Sequence, residues 1–323
     1  MSRTVAERQW RAAQARLEDL DRELLRALAR GYDEVIRELR REVERALRQK
    51  VVDPARLDRI ERFVRERLEE LAALAASETE RRRLEAAERA LDDVRAYIAQ
   101  IQRASPYPFE WAEPWSSAEQ AMAVAFRGTD LETLYRRANR VGWERAKAAL
   151  FAGITLGRNP VETARLVAQA LDISLARAIT IARTETINAY RAAAVASYQA
   201  NSAIVGGYRW VAQLDRYTCL LCALLHGTIF PLSQPVRSHP RCRCTVVPVL
   251  RPPWDQLEPD FGRGVDVLLA DEKRLLELAG PTRAALLERG VEPEKLWRLR
   301  NHPVYGPTPE LVPLSELMRR EVQ

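Results

Sequence analysis

The segments Asp215-Arg216-Tyr217-Thr218-Cys219-Leu220-Leu221-Cys222 and Ser238-His239-Pro240-Arg241-Cys242-Arg243-Cys244 decide how this chain is read. They hold all 4 cysteines of a 323-residue sequence and one of its 3 histidines. Cys219 and Cys222 have the C-x2-C spacing that lets two thiolates on one tight turn face the same ion. The other half of such a site arrives as His239, Cys242 and Cys244. If Arg243 is extended, Cys242 and Cys244 point to one face and Arg243 to the other. His239 and Cys242, separated by the turn-forming Pro240-Arg241, also converge. Five candidates thus compete for four tetrahedral positions, and the spacing does not choose between Cys242 and Cys244.

The ion that suits this donor set is one structural Zn2+ per chain, worth on the order of 10 kcal/mol in small metallo-modules. A closed shell of thiolates and imidazole leaves no position for water, so a catalytic ion is not expected. Two other readings stand beside zinc. The cysteines pair as disulfides, against which the first residues carry no apolar signal core and so point to a reducing compartment; or they are small buried hydrophobes.

Upstream lies a helical stretch with Ala182-Arg183-Thr184-Glu185. Arg183 and Glu185 sit about 200° apart on such a helix, so each is expected to pair with another segment rather than with its neighbour. After Asn201 come Gly206-Gly207 and three short β-prone runs, residues 208–211, 228–230 and 245–249, enough for a small sheet around the cysteine turn.

Arg183-Thr184-Glu185, Trp210, Asp215, Cys219-x-x-Cys222, Gly227 and His239-Pro240-x-Cys242-Arg243-Cys244, in that order over about residues 126–250, resemble the phage Mu F-like family of minor head (head morphogenesis) proteins. The resemblance implies a tailed-phage or prophage protein that assembles in the host cytoplasm. Such a protein joins the procapsid beside the portal, contacts portal protein and scaffold or major capsid protein, and remains inside the virion with the DNA. Arg183, Glu185, Trp210 and Asp215 are then family motif positions.

The rest of the chain is read as mainly α with a small β/zinc-knuckle module. Residues 1–104 are expected to form a long helical hairpin arm. In its first helix Leu17, Leu20, Leu24, Leu28, Val35, Leu39, Val43 and Leu47 recur at helical spacing across Gly31, a point of possible kinking. Asp53 and Pro54 start the second helix, whose Leu84, Ala87, Leu91, Val94, Ile98 and Ile101 keep a coiled-coil heptad. Residues 105–118 contain three prolines and Tyr107, Phe109, Trp111 and Trp115, and read as a linker lying along a groove of the chain's own core or of a partner. Residues 119–252 are the expected helical and knuckle core, with Ser116 and Glu119 as a capping box, Asn159-Pro160 as a second helix start and Ser174 capping the long helix. Residues 253–323 are expected to be a docking tail with helices at 264–278 and 282–288 and an extended segment at 301–306. His226 reads as a turn residue and His302 as a surface or packed histidine.

The formal net charge is +6. Side chains in residues 126–252 give +10 and those in 253–323 give −3. Arg209, Arg237, Arg241 and Arg243, with Tyr208, Trp210 and Tyr217 interleaved, suit sequence-independent contact with the phosphates of duplex DNA. The same arginines also suit helix caps and acidic protein partners. No apolar run approaches ~18 residues, so no membrane span is expected.

Three functions compete. The first is a structural assembly protein, not an enzyme. The second is a zinc-knuckle nuclease, which needs histidines or carboxylates beyond Asp215 and Glu185 to hold an ion and activate water. The third is a toxin-bearing variant, for which the last ~70 residues are short as an independent domain.

Overall fold

The computed structural model describes residues 3–48, 54–115, 117–125, 130–156, 158–234, 239–302 and 306–321. The expected cap at Asp53, the capping-box Ser116 and the basic Arg237 fall outside these residues.

The molecule is mainly helical. Helices α1 (Arg3–Leu47) and α2 (Pro54–Ala104) are each continuous, and Gly31 lies inside α1. Arg89 of α2 donates to the Arg16 carbonyl, Arg82 pairs with Glu23 at 2.9 Å and Arg67 with Glu38 at 3.0 Å. Partners therefore rise along α1 as they fall along α2, the order of an antiparallel pair. Ordinary helix spacing of Leu24, Leu28, Val35 and Leu39 places these residues on one buried stripe.

Helix α3 (Ala118–Ala125) and helix α4 (Leu131–Thr155) are separate elements. Asp130 starts α4 by accepting from the Thr133 amide at 3.3 Å, so this helix has a cap of its own. Helix α5 runs unbroken over Pro160–Ala200. Asn159 caps it through the Val161 amide at 2.9 Å, with Pro160 at its first position. Ser174 is therefore not a cap. It is fully buried in mid-helix, and its hydroxyl reaches the Ala138 carbonyl of α4 at 3.4 Å, so the polar atom is satisfied across the helix contact without a helix break.

Contacts divide the chain into two compact units, residues 18–82 with 128–185, and residues 1–17 with 83–127 and 186–323. The divisions run across the long helices, whereas the sequence reading puts its first boundary at 105–118. In the first unit Leu28, Tyr32, Leu39, Val64 and Leu68 share one core with Tyr135, Trp143, Val167 and Leu171. Tyr32 donates to Asn139 at 2.7 Å, and Asn139 donates to the Leu68 carbonyl at 2.8 Å. The apolar stripes of this part of the hairpin are thus covered by α4 and α5 rather than presented as a free arm.

The other unit carries the sheet: β1 (Val205–Val211), β2 (Ile229–Phe230) and β3 (Thr245–Leu250), antiparallel in the order β2-β1-β3. Helix α6 (Leu220–Leu225) sits between β1 and β2 in sequence. Trp210 pairs in register with Val246 and is fully buried. The proline-rich segment lies along this unit: Phe109 meets Trp254 edge-on at 5.3 Å, the Trp254 indole donates to the Tyr107 carbonyl, and Asn201 bonds both the amide and the carbonyl of Ala112. Docking is intramolecular.

The tail departs from its expected form. Helix α7 (Gly264–Leu269) ends before Asp271, which caps α8 (Glu272–Glu288) by accepting from the Arg274 amide at 3.0 Å. Gly280, at φ 68°, and Pro281 kink α8 where the sequence suggests a break. Of the expected extended segment, Asn301 and His302 end β4 (Trp297–His302) and Gly306 begins β5 (Gly306–Leu311), which pair antiparallel, while residues 303–305 lie outside the described residues; helix α9 (Leu314–Glu321) follows. Leu220, Ala223 and Leu224 of α6 share a core with Val265, Leu268, Leu275, Leu296, Val312 and Leu317. The tail is therefore built onto the cysteine-bearing helix.

Candidate metal centre

Cys219 is the N-cap of α6 and Cys222 lies in its first turn, so C-x2-C places both sulfurs at one helix end. Cys219 Sγ accepts from the Cys222 amide at 3.5 Å, and Cys242 Sγ from the Cys244 amide at 3.4 Å. The two turns that deliver the halves carry Leu214 at φ 56° and Arg241 at φ 61°, left-handed backbone that non-glycine residues seldom adopt. Arg274 holds the first turn by donating to the carbonyls of Leu214 and Asp215.

All five expected ligands converge. Their donor atoms form two overlapping groups, Cys219-Cys222-His239 and Cys222-Cys242-Cys244, each within 4.8 Å. His239 Nε2 lies 3.4 Å from Cys219 Sγ and 3.0 Å from Cys222 Sγ, and Cys222 Sγ lies 3.7 Å from Cys242 Sγ. The four cysteines are free, and Cys222, Cys242 and Cys244 are buried. A cavity of about 40 Å³ opens among these side chains, also lined by Gln213, Tyr217, Thr218, Arg241 and Arg243.

The donors fit a tetrahedral ion. Zn–S and Zn–N bonds give sulfur–sulfur edges of about 3.8 Å and sulfur–nitrogen edges of about 3.5 Å. The observed 3.7 and 3.4 Å match these edges, while 3.0 Å is tighter. His239 Nδ1 lies 2.8 Å from the Pro240 carbonyl, a contact that holds the proton on Nδ1 and leaves Nε2 as the donor atom aimed at the sulfurs.

The cluster divides its protons unevenly. The contact with Cys222, aided by His239, pulls the Cys219 thiol down to about 4. Burial opposes charge on His239, but the neighbouring Cys219 and Cys242 outweigh it and lift the imidazole to about 10. Burial likewise opposes a thiolate at Cys242, yet contacts with Cys222, Cys244 and His239 hold it well below the usual thiol range. Contact with Cys219 pushes Cys222 up, and burial pushes Cys244 up. Loading an ion therefore expels protons.

The basic candidates are distributed differently from the sequence expectation. Arg243 makes a two-pronged contact with Asp215 at 2.5 and 2.9 Å and donates to Gln213 at 2.6 Å. That guanidinium holds the Asp215 carboxyl below the usual carboxylate range, aided by the Tyr217 amide. Arg209 pairs with the half-buried Glu258 at 3.3 Å. Arg241 is exposed beside the cluster. Of the motif positions, Trp210 backs the site from β1 and Asp215 anchors its first turn, while Glu185 is fully buried in α5 and belongs to the other unit together with Arg183.

Sequence reasoning missed Arg191. Its guanidinium lies 3.6 Å from Cys242 Sγ, 3.0 Å from the Cys244 carbonyl and 2.8 Å from Asn188 Oδ1, and stands 4.9 Å over the Trp210 ring. Its position eight residues beyond Arg183 on α5 was the available clue, but no spacing rule links a helix interior to a distant cysteine turn.

Residues 144–247 match the model of the family described as Phage Mu protein F like protein. This segment is Mu F-like. The matched stretch runs from α4 through α5 and the sheet to β3, and includes every cysteine and His239. Comparison of the chain with curated proteins and with solved structures gives no match. The Mu F-like segment thus coincides with the helix that bears Arg191 and with the whole candidate metal centre. No helix among the described residues is long and apolar enough to cross a membrane.

Proposed function

We propose that this chain is a structural head-morphogenesis protein of a tailed phage or prophage, which joins the procapsid beside the portal, contacts the scaffold or major capsid protein, and stays inside the virion. The observation that carries the reading is the Mu F-like match lying over a complete cysteine and histidine cluster. One structural zinc, held by four of Cys219, Cys222, His239, Cys242 and Cys244, staples β3 and its approach to α6.

Local chemistry favours structure over a nuclease. Asp215 is engaged by Arg243, the Thr218 hydroxyl and the Tyr217 amide. His226 accepts the Ala212 amide on Nδ1 and meets the Phe261 carbonyl through Nε2, which occupies both ring nitrogens. The acid and the other histidine near the knuckle are thus committed to holding its turns, whereas hydrolysis needs a group poised to activate water.

A non-specific duplex DNA face at Arg209, Arg237, Arg241 and Arg243 remains part of the proposal, with Arg209 and Arg243 also facing carboxylates of this chain. Deleting the gene from an inducible phage genome and examining the lysate by electron microscopy tests the assembly reading. The expected result is a loss of DNA-filled heads, restored by the wild-type chain, with the protein co-purifying with heads. Normal heads in the deletion, and heads lacking the protein when it is expressed, would overturn it.

A further inference from the structure

The two overlapping donor groups leave the choice between Cys242 and Cys244, and Arg191 bears on it. Cys242 Sγ takes N–H donors from both the Cys244 amide and the Arg191 guanidinium. Arg191 reaches Cys244 through its backbone carbonyl. Cys244 Sγ meets Cys222 and Cys242 and lies within reach of the Arg191 charge, whereas the hydrogen bond from the guanidinium goes to Cys242 Sγ. His239, in turn, touches Cys219, Cys222 and Cys242.

Resting on the zinc reading above, we propose that the ion is held by Cys219, Cys222, His239 and Cys242, that Cys244 stands outside the coordination set, and that Arg191 is the positioning residue that orients Cys242 and balances the charge of the site. Three thiolates and a neutral imidazole around a divalent ion leave one negative charge. In a buried site such a charge is costly unless paired. Arg191 is itself only 3% exposed, and one arm of its N–H fork reaches the sulfur that carries part of that charge. A four-thiolate set would leave two negative charges beside the same guanidinium. The Trp210 ring beneath Arg191 and the Asn188 side-chain Oδ1 fix the direction of the fork. The outer partners that orient a metal ligand typically change affinity about 10–100-fold when removed.

The test is Co2+ titration of the full-length, metal-free protein. The near-ultraviolet thiolate-to-cobalt absorption grows with the number of bound thiolates, and proton release and competition with a chelator are read in parallel. Wild type should show three-thiolate intensity at one ion per chain. C244S should keep that intensity and the wild-type affinity. C242S should lose a third of the intensity or the ion. R191M should bind about 10–100-fold more weakly, and R191K, which keeps the charge without the fork, should fall between. If R191M fails to fold, R191K and the two serine variants decide. Loss of the ion or of a thiolate band in C244S, or wild-type affinity in R191M or R191K, overturns this assignment while leaving zinc binding intact. Absence of Co2+ binding by wild type overturns both.

Discussion

Gly264, the first residue of α7, lies directly against the Ala223 carbonyl of α6: a β-carbon at Gly264 would stand 2.2 Å from that oxygen and 2.8 Å from the His226 β-carbon. The tail therefore meets the knuckle helix backbone to backbone. Gly264→Ala should destabilise the protein by about 1–3 kcal/mol, the range for overpacking a close contact. Because the backbone that must shift carries Cys222, the variant should also release metal to a chelator sooner than wild type. Thermal unfolding with parallel metal-release kinetics checks both; a wild-type midpoint would show that the two elements are not seated as described.

His226 makes the same seam sensitive to acid. Burial first, with the nearby Arg209 charge as a further contribution, lowers its pKa, while its contact with the Phe261 carbonyl works the other way. The unfolded imidazole titrates at about 6.5. Below that pH the unfolded chain takes up a proton that the folded chain resists, so stability contributed by neutral His226 is full above about pH 6.5 and falls as the pH drops further. His226→Gln should be less stable at pH 7.5 and show a shallower decline between pH 7 and 6, with metal kept saturating. Parallel pH slopes for the two proteins would contradict this.

The hairpin and the helices after it share Leu28, Tyr32, Leu68, Tyr135, Trp143 and Leu171 in one core. A chain beginning at Ser105 strips that core from α4 and α5, and should be insoluble or molten. Soluble, cooperatively unfolding protein from this truncation would instead support residues 1–104 as a separate arm.

Much of this was legible in the sequence where local chemistry decides. The three strands, the Asn159-Pro160 start and the convergence of five donors follow from spacing and caps. What escaped depends on partners distant along the chain. Ser174 looks like a cap until the Ala138 carbonyl is beside it, and Arg209 and Arg243 look available for phosphate until Glu258 and Asp215 are. The unit boundaries were hidden for the same reason: a helix that passes from one core to another carries no signal at the crossing.

Elemental analysis of protein purified under reducing conditions should give one zinc per chain, and Cys219→Ser and Cys222→Ser should each lose the ion and unfold the sheet and α6. Zinc far below one equivalent, with the wild-type fold intact in chelator, would contradict the account.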